Sequence, residues 1–168
     1  VILRIKSNKI TYSKKKFWLP FKVFLQLLKI FFSTFQDQQW LNGIIKTHNI
    51  NIVISDNRFG MNNKKIPSVF ITHQLFIKTG SIFSERIAQK INYHFIKKYK
   101  YCWVPDFKVN DLAGVLSHPG NIPSNVRYIG AISRFETLPG ITKKYDVLIL
   151  ISGPEPQRTR FEKMILPQ

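Results

Sequence analysis

Cysteine occurs once in these 168 residues, at Cys102, which excludes an intramolecular disulfide between them and is the usage expected of a reducing compartment. Acidic residues are scarce, 9 Asp plus Glu against 26 Lys plus Arg, and the four His are scattered. Without clustered carboxylates or a Cys/His spacing that converges, no metal site is expected. The apolar stretch around residues 17 to 35 is interrupted by Pro20, Lys22, Gln26 and Lys29 before the roughly 20 residues of a membrane span accumulate. Zinc-finger spacing, an aromatic-rich ribonucleoprotein motif and a long basic tract are also missing, as are internal repeats and low-complexity segments.

Apolar side chains, by contrast, are plentiful. They make up 44% of the chain, and 14 Phe raise the aromatic share to 14%, so a core can be buried and a wholly disordered basic tail is excluded. The length suits one domain, or one and a piece of another. A net charge of +17 has two ordinary readings, nucleic-acid binding and attraction to an anionic membrane face. A third is compositional: 19 Lys but 7 Arg, with 23 Ile and 11 Asn, is a skew that the base composition of the coding DNA can produce. The longest basic cluster is Lys14-Lys15-Lys16, beside Phe17 and Trp18.

Periodicity predicts helix and strand in alternation. Residues 20 to 47 read as helix, with Pro20 in a first turn and Phe21, Phe24, Leu25, Leu28, Phe31, Phe32 and Phe35 recurring at three and four. Residues 51 to 55 and 68 to 72 are short and β-branched, hence buried parallel strands, separated by turn-forming residues 56 to 63. A helix over 82 to 98 leads to strands at 101 to 104 and 126 to 129. A fifth strand at 145 to 151 and a helix from Pro156 to about Leu166 complete the pattern. The expected fold is α/β, a Rossmann-like parallel sheet with flanking helices. Residues 134 to 144 are the expected linker, dividing 1–133 from 145–168. The chain opens directly in a strand-like run, Val1 to Ile5, and closes just after a helix-like segment, the pattern expected of a fragment.

In an open parallel sheet the carboxyl ends of the strands share one rim, where loops converge on ligands. The expected rim residues are Asp56, Asn57 and Arg58 after the first strand, Thr72, His73 and Gln74 after the second, and Asp106 after the third. Gly130 with Ser133 and Arg134 follows the fourth, and Ser152 to Arg158 the fifth. Asp56 and His73 are the candidate catalytic groups; the alternatives are a turn cap for Asp56, a hydrogen-bonded core histidine for His73 and a turn residue for Asp106. In the last loop, Gly153 permits close backbone approach and a following helix start presents N–H groups that favour an anion. The alternative there is an ordinary strand-to-helix turn.

The string Val147 to Thr159, together with Cys102-Trp103-Val104-Pro105-Asp106 and Tyr128 to Phe135, resembles bacterial glycosyltransferases of the GT-B fold, and is similar to family 28, whose best-known member adds N-acetylglucosamine to a lipid-linked precursor. The resemblance runs along most of residues 45 to 168. It implies two Rossmann-like domains facing a cleft, with residues 1 to 133 the later part of the acceptor side and 145 to 168 the opening strand and helix of the donor side. A nucleotide-sugar would be substrate, without a cofactor. Ser152, Gly153, Glu155, Gln157 and Arg158 would contact the donor, and Arg58, Gln74, Asp106 and Arg134 would line the acceptor side. Two departures stand out: the family's Gly-rich, His-bearing opening loop does not occur here, and Pro154, Glu155 and Pro156 replace much of a loop usually richer in Gly and Ser.

A lipid-linked acceptor would also give a use to Lys14, Lys15, Lys16 and Trp18 as a contact with an anionic membrane, placing the protein in the cytoplasm at the inner membrane face. The competing expectations are a non-catalytic basic module for nucleic acid or anionic lipid, and a Rossmann-like sugar-nucleotide epimerase.

Overall fold

The computed structural model describes residues 19–136, 140, 144–153 and 155–166, with side chains along the first helix described from Lys29 onward. The membrane-contact residues Lys14, Lys15, Lys16 and Trp18 lie outside them. Two compact units divide between Ile132 and Ser133.

The first unit is a Rossmann-like α/β layer. Helix α1 (Leu19–Thr47) precedes β1 (Val53–Asp56) and β2 (Ser68–Ile71); α2 (Ile82–Ile96) then leads to β3 (Tyr101–Val104), and a single 3-10 turn at Gly114–Leu116 comes before β4 (Val126–Tyr128). All four strands are parallel and lie in chain order, with Ser55 opposite Phe70, Phe70 opposite Cys102 and Cys102 opposite Val126. Because side chains alternate across a strand, that register gathers Ser55, Phe70, Cys102, Val104 and Val126 on one face. Against it pack Leu75, Ile96 and Tyr99. Phe59 stacks between Phe70 of the sheet and Phe95 of α2, at 5.3 and 4.8 Å between ring centroids, so the β1–β2 loop supplies part of the core.

The opposite face carries Ile54, Val69, Ile71, Tyr101, Trp103 and Arg127, of which only Val69 is buried. The strands are therefore not enclosed on both sides by the described residues, as their apolar composition led one to expect. Helix α1 also presents an unexpected face. Among its described side chains Thr34, Asp37 and Leu41 are buried, while Phe31, Phe32 and Phe35 are 60% exposed or more. At Thr34 and Asp37 the β1–β2 loop accounts for this, since Gly60 comes so close to both that a Cβ on it would meet Asp37 Cβ at 2.4 Å and the Thr34 carbonyl oxygen at 2.5 Å.

In the second unit α3 (Gln157–Ile165) forms, but the strand expected over 145–151 does not. Leu148 is 85% exposed and Leu150 83%. A parallel strand needs neighbours to pair its backbone and cover both faces, and among the described residues this unit contains no other strand. No helix among the described residues is long and apolar enough to cross a membrane.

Candidate functional site

The carboxyl ends of β1 to β4 lie in a row, and the loops leaving them are tied together by the backbone. Asn57 N–H donates to the Ile71 carbonyl, Thr72 N–H to Trp103 and Gly130 N–H to Asp106, each near 3.0 Å. Asn57 adopts a positive φ of 54°, which Asn tolerates, and its side-chain oxygen accepts from the Thr72 hydroxyl at 3.2 Å. The first two loops are thereby locked to each other, with Asp56, His73 and Gln74 exposed on them. From α2, Asn92 donates to the carbonyls of Gln74 and Leu75, and Gln89 donates to Leu75 while accepting from Ile77 N–H. These two amides hold the His73–Gln74 loop from behind, a role that residue spacing on α2 does not reveal.

Arg58 and Asp106 are engaged elsewhere. The Arg58 guanidinium grips Asp37 of α1 at 2.7 and 3.2 Å, and its carbonyl accepts from the hydroxyls of Ser55 and Tyr99. Burial pushes Tyr99 up to about 12, keeping it a neutral donor. Asp106 is 1% exposed and its carboxylate accepts from the Ser117 hydroxyl at 2.6 Å and from the N–H groups of Phe107, Leu112 and Ala113. Those donors, Ser117 foremost and Leu112 next, hold its carboxyl well below the usual range against the opposing effect of burial. Asp106 thus organises the loop after β3 from within; it does not face a cleft.

That loop also brings in His118, which sequence reasoning missed. Its ring stacks on Tyr128 at 4.7 Å, and Nδ1 lies 2.8 Å from Ser117 Oγ, 3.7 Å from Asp111 and 3.9 Å from Asp106. The residue types are those of a nucleophilic triad, but the roles are inverted. An ionised carboxylate can only accept, so the Ser117 proton goes to Asp106, and His118 Nδ1–H must donate to Ser117 Oγ. Ser117 is fully buried, so it cannot attack a substrate. The adjacency Ser117-His118 was the available signal, but its meaning depends on Asp106, eleven residues earlier.

In the second unit, Arg158 pairs with Glu155 at 2.7 Å and Thr159 donates to Glu155 at 2.6 Å, all at the start of α3. These contacts, Thr159 first, draw the Glu155 carboxyl below its usual range. Gly153 has φ +113°, where a side chain would be strained, and Ser152 and Gln157 are exposed. Arg134 lies over the Phe135 ring at 5.3 Å. Among the described residues no group of three or more His, Cys, Asp or Glu could hold a metal ion.

No protein-family model, curated protein or solved structure matches this chain.

Proposed function

We propose that this chain carries the acceptor-side domain and the opening of the donor-side domain of a GT-B glycosyltransferase, which moves a sugar from a nucleotide-sugar donor to an acceptor hydroxyl. The observation that supports it best is the rim of the parallel sheet, where loops locked by Thr72 and Asn57 expose Asp56, His73 and Gln74 together. On this reading His73 or Asp56 removes the acceptor proton. The departing diphosphate is neutralised by Arg158 and by N–H groups at the start of α3. Glu155 does not repel it outright, because an exposed ion pair is weak and Arg158 can exchange one oxyanion for another. A lipid-linked acceptor at the cytoplasmic membrane face fits the Lys14–Lys16 segment, and turnover on this reading needs both walls of the cleft in place.

A non-catalytic basic module for nucleic acid or anionic lipid is the second reading, favoured by the net charge of +17. Calorimetric titration with UDP- and GDP-sugars and with single-stranded RNA separates the two. Saturable, sugar-dependent donor binding that weakens in Arg158→Ala supports the transferase, whereas binding of RNA alone overturns it. In the protein that carries the activity, His73→Ala should lower turnover by about 10²–10⁴-fold if His73 is the base.

A further inference from the structure

The opposite rim, where the chain enters the strands, holds two adjoining cavities of about 540 and 430 Å³ that share Asn63, Lys64, Lys65 and Lys98. Lys100 completes a set of four lysines, and Gln38, Asn42 and Asn62 add carboxamides; among the described residues no carboxylate lines either cavity. None of the four lysines has an ion-pair partner among the described residues. Four exposed lysines around two adjoining hollows make a locally positive surface that favours a bound anion, most strongly at low ionic strength.

The floor beneath them is rigid. Asn63 accepts from the N–H groups of Lys65 and Ile66, donates its side-chain amide to Asn42 on α1 at 2.9 Å, and donates its N–H to Ser68 Oγ. Gln38 of α1 donates to Asn62, and Lys100 N–H donates to the Ser68 carbonyl, joining the loop before β2 to the loop before β3. Lys98 is steadied over the Phe95 ring, its ammonium 4.9 Å from the centroid. The Lys100 ammonium likewise rests over the Tyr101 ring at 5.8 Å. Such exposed contacts are weak and can yield to an anion, so backbone and carboxamides are fixed while the lysines can turn to a ligand that combines negative charge with hydroxyl or amide groups.

We infer that these two adjoining cavities form a binding site for a phosphate-bearing ligand with at least two negative charges, separate from the rim that carries Asp56 and His73. The probe is inorganic pyrophosphate at low ionic strength, read by the acylation rate of each lysine with an amine-reactive ester and mass spectrometry. Pyrophosphate should slow acylation of Lys64, Lys65, Lys98 and Lys100 by about fivefold or more, and leave the exposed Lys78, Lys90 and Lys108 within twofold. Vesicles of phosphatidic acid with phosphatidylcholine form the second arm: protection by them and not by pyrophosphate assigns the phosphate to a lipid headgroup. Protection by neither, or equal slowing at all seven lysines, overturns the proposal. The triple variant Lys64→Gln, Lys65→Gln, Lys98→Gln should weaken pyrophosphate binding about tenfold at an unchanged melting temperature, while Lys78→Gln, Lys90→Gln, Lys108→Gln changes it less than twofold. Equal losses in both variants would mean a net-charge effect and would also overturn the site. Arg158→Ala, on the proposed donor loop, leaves the lysine protection intact, so the two readings fail independently.

Discussion

Arg58, in the loop after β1, clamps Asp37 of α1 through two charged hydrogen bonds of 2.7 and 3.2 Å, with the Asp37 side chain only 6% exposed. This ion pair joins the Gln38–Asn62 and Asn63–Asn42 hydrogen bonds in fixing the long first helix to the β1–β2 loop. Asp37→Ala should destabilise the fold by about 2–3 kcal/mol, since two charged hydrogen bonds to a largely buried carboxylate are lost. Asp37→Asn, which keeps an acceptor, should lose less. Urea unfolding of the three proteins checks the order.

Gly60 is irreplaceable for a steric reason. A Cβ there would sit 2.4 Å from Asp37 Cβ and 2.5 Å from the Thr34 carbonyl oxygen, neither of which is the free end of a mobile side chain. Gly60→Ala should therefore cost about 1–3 kcal/mol or more through forced separation of loop and helix. Gly43→Ala on α1, where a Cβ meets nothing within 4 Å, should instead stabilise by about 0.5–1 kcal/mol by helix propensity. Opposite shifts in the urea midpoint are expected; the same sign for both contradicts the steric account.

Asp106 should make stability depend on acidity. Its carboxyl is held below the unfolded value of about 3.9 by Ser117 and the loop N–H groups, so its stabilising contribution is complete above about pH 5 and is lost as the pH falls through 3.9 toward the folded value. Asp106→Asn should melt at a lower temperature than the unaltered protein at pH 7, and the gap should narrow by pH 2.5. A gap of constant size across that range contradicts the assignment.

Cys102 should be inert while the protein is folded. Burial in the core pushes its thiol up to about 12, leaving a thiolate fraction on the order of 10⁻⁴ at pH 8. A disulfide reagent at pH 8 should therefore modify it at the rate of unfolding, and promptly in denaturant; rapid reaction under native conditions would contradict its burial.

The strands around residues 53, 69, 102 and 127 and the helices around 33, 90 and 161 were legible because their signals are local: β-branched runs too short for a helix, and apolar spacings of three and four. The fifth strand was misread for the same reason. Residues 145–151 have the composition of a buried strand, but composition does not supply the neighbouring strands that would pair it.

The site was legible only in part. That Asp56, His73 and Gln74 sit at strand ends follows from the strands themselves, but the work of Arg58 and Asp106 does not. Asp37 is 21 residues from Arg58 and Tyr99 is 41, so no window of sequence contains the partners that turn an apparent ligand-binding arginine into a clamp. His118 was invisible because the fold alone stacks it on Tyr128 and sets it beside Ser117 and Asp106.

By itself, then, the order of residues determined an α/β chain with parallel strands, a charge far above neutrality and a polar rim, since each depends on composition or short-range spacing. Tertiary structure decided which polar groups are spent inside the fold and which stay exposed, that Gly60 must lack a side chain, and that Lys64, Lys65, Lys98 and Lys100 line two adjoining cavities. Burial and charge crowding depend on distances across the folded chain, and those exist only once the sheet has brought separate loops side by side.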